Sequence, residues 1–273
     1  MPWRPIARRE LSDLLAGRTT KAGLAVVALV FVGGGYAAGT PGSNATVATY
    51  ANLLGGVVPF VVGALGLLLG YRSVVGDRAA GRLALVLALP HSRADVLAGK
   101  LLARGGVAVG TLAVGILVGG WLVEYPFGSV DLLTLAAYLA ATLALGLALF
   151  GVGTALSTLT VSPRRATVGA FVVLVAVTFW GQLRVPLLLA LDYFGLTTPS
   201  GGLPEWALFL HGLEPTAVYG RVVDAFVVGV ERGPYLGPDA AWYLGGTVAA
   251  VLLVAWATLP LAAGYLRFRG TDL

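Results

Sequence analysis

The run Leu132-Leu133-Thr134-Leu135-Ala136-Ala137-Tyr138-Leu139-Ala140-Ala141-Thr142-Leu143-Ala144-Leu145-Gly146-Leu147-Ala148-Leu149-Phe150-Gly151-Val152-Gly153-Thr154-Ala155-Leu156-Ser157-Thr158 is 27 residues long and holds no Asp, Glu, Lys or Arg. Wound as an α-helix it would reach about 40 Å, more than the ~30 Å hydrocarbon core of a bilayer. A helix at a soluble surface carries a polar stripe, and this one is apolar all round. It reads as a membrane-spanning helix with length to spare for tilt. Five more uncharged stretches share its character: Ala22–Gly39, Leu53–Tyr71, Gly105–Val123, Ala166–Leu183 and Trp242–Leu266. The expected fold is all-α, a single polytopic membrane domain over residues 1–273 with six transmembrane helices.

Composition agrees. Only 11% of the residues are charged, against about 25% in a soluble domain, and mean hydropathy is +0.87. A soluble surface cannot be covered with so few charges, and disorder is excluded by the high apolar content. The charges that remain are sorted by position. With the N-terminus placed in the cytoplasm, 15 of the 18 basic residues fall on the inner side, and only Arg184, Arg221 and Arg232 fall outside. The positive-inside bias therefore predicts both termini in the cytoplasm. The basic region before the first span is long, so that span reads as a signal-anchor helix rather than a cleaved signal.

Three segments lie outside the spans. Residues 1–21 predict a short interfacial helix, with Ala7, Leu11, Leu14 and Leu15 near one face and Arg4, Arg8, Arg9 and Asp13 on the others. Residues 72–104 form a charged inner loop. Residues 184–241 form an outer segment that six prolines divide into short elements. Its apolar parts, Leu203–Leu213 and Ala217–Val230, are too short to span. Asn44-Ala45-Thr46 matches a glycosylation sequon on the outer side. In the second span, Gly63, Gly66 and Gly70 share one face, as close helix packing requires.

Catalytic and energy-coupling chemistry is sparse. With no cysteine and two distant histidines, His91 and His211, thiolate and His-based metal centres are not expected. No P-loop is present: at the sole Gly-Lys pair, Gly99-Lys100, the required upstream glycine is Ala94 and the next residue is Leu101. The six stretches carry no carboxylate, so an ion-coupled pump or an intramembrane protease has no obvious machinery. The chain reads as a non-enzyme whose energy must come from a partner.

The inner loop is where such a partner could act. Asp77 opens it, Gly81 follows, Arg82–Leu89 forms a short apolar helix, and Pro90 stops that helix. Ser92 caps the next helix, with Asp95 completing a capping box; that helix runs through Gly99-Lys100 into the third span. Lys100 and Arg104 read as interfacial anchors of that span, and Gly81 as a point of close approach. The arrangement of Asp77, Gly81, Leu83–Leu89, Pro90-His91-Ser92-Arg93 and Gly99-Lys100 resembles the ABC-2 type permeases, the membrane subunits of ABC exporters, including their NosY-like members. Leu213–Tyr219 is similar to that family's Pro-x-x-x-Tyr element. One departure is Ala79 or Ala80, where members often carry a second acid.

The resemblance implies a plasma-membrane permease that works as a homo- or heterodimer. A separate ATPase subunit holding ATP-Mg would dock on the inner loop, and this chain would hold no cofactor or metal itself. It implies coupling contacts at Asp77, Arg78, Gly81, Arg82, Pro90, Ser92, Arg93 and Asp95. Membrane lipids are the other expected partner, and nucleic acid is not expected. Two other readings fit the layout: a stand-alone channel or secondary transporter, and a membrane assembly factor whose outer segment binds an extracytoplasmic protein.

Overall fold

A computed structural model describes residues 3–39, 45–82, 92–125, 129–199 and 201–269. Among these residues there are helices and turns and no strand. The described residues form α1 (Trp3–Ala16), α2 (Arg18–Ala38), α3 (Val47–Leu54), α4 (Val58–Gly70), α5 (Val75–Ala79), α6 (Arg93–Glu124), α7 (Leu132–Leu159), α8 (Pro163–Phe179), α9 (Arg184–Tyr193), α10 (Glu205–His211), α11 (Pro215–Val223) and α12 (Gly246–Arg269). Six helical stretches are long and apolar enough to cross a membrane: Arg18–Ala38, Val58–Ala79, Arg93–Glu124, Leu132–Leu159, Pro163–Tyr193 and Gly246–Phe268.

The uncharged run from Leu132 to Thr158 becomes α7, the hub of the bundle, packed against α4, α6, α8, α11 and α12. Asp131 caps its start by accepting from the Leu133 and Thr134 amides. Gly63, Gly66 and Gly70 do share a face, and that face meets α7. A Cβ on Gly70 would lie 2.5 Å from the Phe150 carbonyl oxygen, and one on Gly66 2.7 Å from that of Gly146. No side chain fits there, and the two backbones touch instead.

Several boundaries move for local reasons. The second apolar stretch splits at Gly55-Gly56 into α3 and α4, with Pro59 in the first turn of α4, where its missing N–H is no loss. The helical path of the fifth span does not stop at Leu183. It continues through a 3₁₀ turn, Trp180–Leu183, into α9. Pro186 sits in the first turn of α9 and so does not break it. The outer segment resolves into α10, α11 and a π-helical turn, Asp224–Val228. In the sequon, Thr46 spends its hydroxyl capping α3; Asn44 lies outside the described residues, as do Leu83–Leu89, Pro90 and His91.

At one end of the bundle α1 lies against α6. Ile6 and Trp3 press on Gly99, and Leu14 is buried. Leu11 and Leu15 are exposed. The face of α1 turned to the protein is thus Trp3, Ile6, Glu10 and Leu14, and it includes an acid.

Candidate functional site

The loop region after α4 begins at Ser73, which is buried, and turns into α5. Two backbone N–H groups at the start of α5, those of Val74 and Val75, both donate to Ser157 Oγ of α7, at 2.9 and 3.0 Å. A helix start leaves such donors without intrahelical partners, and here the hub helix supplies the acceptor. Arg78 Nη1 donates to the Thr160 carbonyl just past α7. Two links thus bind α5 to the far end of α7.

Asp77 faces the other way. Its carboxylate accepts from Lys100 Nζ at 2.5 Å and from Arg82 Nε at 2.8 Å. Lys100 Nζ reaches Glu10 Oε2 at 2.8 Å, and Arg104 Nε donates to Glu10 Oε1 at 2.6 Å. Arg104 Nη1 also donates to the Leu69 carbonyl at the end of α4. The result is an unbroken chain, Arg82–Asp77–Lys100–Glu10–Arg104, joining α5 and its following turn, α6, α1 and α4. Its centre is dry: Lys100 is 3% exposed. Its edge is wet, with the Arg82 side chain 57% exposed. The hydrogen bond and charge of Asp77 push the Arg82 guanidinium above its ordinary value, so it stays charged.

Lys100 and Arg104 are therefore not interfacial anchors; an unpaired ammonium could not be buried this deeply, and Glu10 and Asp77 make its burial possible. Gly81 makes no close approach to the described residues, none of which a Cβ there would meet within 4 Å. Its φ of +69° instead ends α5 in the left-handed region.

The other expected residues divide. Ser92 and Asp95 form the capping box, with Ser92 Oγ accepting from the Asp95 amide at 3.1 Å and Asp95 Oδ2 from the Ser92 amide at 3.1 Å. Arg93 Nη1 donates to the Phe268 carbonyl at the end of α12. Beneath them Val74, Val96, Leu97 and Phe268 make a small apolar cluster, flanked by Ile6, Leu101 and Tyr265. Pro90 lies outside the described residues. Ala79, Ala80, Gly81, Arg82, Ser92 and Ala94 are the exposed rim. Glu10, Lys100, Arg104 and Ser157 were not among the residues that sequence reading assigned to this site.

The opposite end has its own polar cluster. Arg221, 4% exposed, donates to the carbonyls of Gly212 at 2.7 Å and Leu244 at 3.0 Å, and lies 5.2 Å from the Tyr235 ring centre. Glu214 caps α11, its Oε2 accepting from the Ala217 amide and the Thr216 hydroxyl. Burial pushes the Glu214 carboxyl above its ordinary value, against the pull of those hydrogen bonds. Burial likewise lowers the His211 imidazole. Tyr219 reaches Thr142 of α7 at 3.3 Å. The indole N–H groups of Trp180 and Trp256 donate to the carbonyls of His211 and Leu213 at 2.7 Å each. The segment from His211 to Tyr219, which holds the Pro215-x-x-x-Tyr219 element, is thus stitched to three spans.

Six helices of membrane-spanning length around one hub, with a loop region ion-locked at one end and a stitched helical segment at the other, make this a polytopic membrane protein. Residues 4–273 match the family described as ABC-2 family transporter protein, and the chain belongs to that family. It is 37% identical over 135 residues to the probable ABC transporter permease protein NosY of Pseudomonas aeruginosa, a match covering 48% of this chain and 45% of that protein. It is 36% identical over 118 residues to the protein of the same description from Stutzerimonas stutzeri, covering 42% and 41%. The chain thus spans about half the length of the relatives it matches, or less.

Proposed function

We propose that this chain is the membrane-spanning subunit of an ABC exporter, driven by a separate ATPase subunit that docks on the exposed rim of residues 79–82, 92 and 94. The end carrying the ion chain faces the cytoplasm in this reading, because 15 of the 18 basic residues gather there. α1 lies at the membrane surface, with exposed Leu11 and Leu15 turned to lipid. A second copy, or a related permease, completes the pathway. Family membership and the relatives described as permeases support the class.

The observation that carries the coupling role is the continuity from rim to hub. Arg82, on the rim, holds Asp77; Asp77 holds Lys100 on the third span and, through it, Glu10 on α1. The same short helix is pinned to α7 through Ser157. A push on the rim has connected paths into α1, α6 and α7. A partner's acidic surface would meet Arg82, the most exposed of the five residues in the ion chain.

The test is co-purification with the cognate ATPase subunit. Arg82→Glu, with Ala80→Glu beside it, should abolish co-purification while the permease still assembles in the membrane. Retention of the ATPase by this double variant would overturn the docking assignment. Orientation is checked independently, because the chain has no cysteine. Ala80→Cys should react with a membrane-impermeant maleimide only after cells are opened, and Asp239→Cys in intact cells.

A further inference from the structure

A cavity of about 340 Å³ lies between α7, α8 and α12, closed on one side by the stretch from α10 to α11. Its walls include Leu149 and Val152 of α7, Val177 of α8, and the rings of Trp180 and Trp256. Among these side chains stands one acid, Glu214, 8% exposed.

The two oxygens of Glu214 are not equivalent. Oε2 serves as the cap of α11, taking the Ala217 amide and the Thr216 hydroxyl. Oε1 is buried and has no hydrogen-bond partner among the described residues. No basic side chain among the described residues forms an ion pair with it. Buried carboxyl oxygens are ordinarily satisfied, and one that is not points to something that completes it. Arg221 is close in sequence, but its two bonded nitrogens are turned to the Gly212 and Leu244 carbonyls.

The two indoles line the same cavity as Glu214. Both N–H groups donate to backbone carbonyls of the segment leading into Glu214, those of His211 and Leu213. That commits the polar edge of each ring to the backbone and leaves its apolar body to the cavity. Aromatic walls attract cations over their faces. An apolar pocket with a single convergent acid recognises a ligand of opposite charge and apolar body.

We propose that this cavity is a binding site for a lipophilic amine, its protonated nitrogen donating to Glu214 Oε1 and its apolar body lying between Trp180, Trp256 and the α7 side chains. This site is separate from the rim and does not depend on ATPase docking.

The test uses the full chain purified in detergent micelles, with 2-(1-naphthyl)ethylammonium as probe and the neutral 2-(1-naphthyl)ethanol as its isostere, each titrated by calorimetry. The wild type should bind the amine about tenfold or more tightly than the alcohol, the scale of one charge-assisted hydrogen bond. Glu214→Gln keeps an amide oxygen for the α11 cap and should erase that preference. Val152→Phe fills the cavity without touching the acid and should weaken both compounds together. Equal binding of amine and alcohol by the wild type would overturn the proposal without reference to any variant. So would a preference that survives Glu214→Gln, or unaltered amine binding in a folded Val152→Phe.

Discussion

At the end of the bundle that carries α1, Lys100 is buried between two carboxylates, those of Glu10 and Asp77. At the other end Arg221 is equally buried and meets no carboxylate among the described residues; two backbone carbonyls and the face of Tyr235 hold it. Both solutions satisfy the charge, but they differ in what they can do. Carbonyls belong to the fold: Gly212 and Leu244 keep their places only if α10 and the turn before α12 keep theirs, so Arg221 fixes one shape. Carboxylates on separate elements can part from the ammonium and rejoin it without unfolding anything. The ion chain therefore suits an end of the molecule where elements shift against one another, and the carbonyl clamp suits one that must stay put.

The largest expected effect comes from breaking the ion chain at its centre. Lys100→Met removes the buried cation that Glu10 and Asp77 share, leaving Arg104 and Arg82 as their remaining partners; breaking a buried pair costs about 3–5 kcal/mol, and the two arginines hold the loss to the lower end of that range. The midpoint of thermal unfolding in detergent should fall steeply. The triple variant Glu10→Gln, Asp77→Asn, Lys100→Met should regain most of that stability and still lose ATP-dependent transport. If the triple variant transported like the wild type, the ion chain would be packing alone.

Arg221→Met is the matching break at the other end. It strips two carbonyls of a charged donor, each bond being worth about 1.5–3 kcal/mol, and should cost about 3 kcal/mol. Here the loss should appear as faster proteolysis of the 195–245 region, with ATPase co-purification unchanged. Equal damage to both functions would erase the contrast between the ends.

Ser157→Ala is gentler. Two N–H groups of α5 lose their acceptor, costing about 1–3 kcal/mol, and α5 loses a fixed link to α7. The expected outcome is an ATPase that still docks but is less stimulated by the permease, read as ATP turnover in proteoliposomes.

These positions also mark what sequence could disclose. The six spans were legible because each is a property of a contiguous run. So was the capping box, since Ser92 and Asp95 are three residues apart and helix geometry brings them together without help. Asp77, Gly81 and Arg82 were singled out as part of a local pattern, but the left-handed turn that Gly81 makes was not read from it. Glu10 was not connected to Lys100, nor Ser157 to Val74, because 90 and 83 residues separate them and only tertiary packing joins them. Lys100 in particular carried a misleading local signal. A lysine at the start of a span ordinarily snorkels to the interface, and nothing nearby in sequence announced the two acids that draw it inward. The extension of the fifth span was missed for a related reason: Pro186 reads as a breaker unless the 3₁₀ turn that places it in a first helical turn is known.

Gly81→Ala examines the rim itself. The left-handed φ of +69° costs an L-residue roughly 1 kcal/mol more than glycine. None of the described residues obstructs the added methyl group, so the effect should be confined to the turn. The unfolding midpoint should barely move while ATPase affinity drops severalfold. A Gly81→Ala variant that docked normally would mean that the turn's shape is not read by the partner.

The smallest effect separates the ends by pH. Burial raises the Glu214 carboxyl above its ordinary value of 4.5, so the folded protein holds a proton there that the unfolded chain has released. Below the ordinary value both states are protonated and the group is neutral in the balance. As pH rises from there toward the raised folded value, the unfolded state binds fewer protons than the folded one, and stability falls. The wild type should therefore lose unfolding temperature relative to Glu214→Gln across that interval, with the difference levelling off above it. Any constant cost of a weaker Gln cap shifts the whole curve and leaves its slope alone. A wild-type curve parallel to the variant's would mean that Glu214 is ionised as readily in the folded protein as in water, and that a counter-charge reaches Oε1 in the absence of ligand.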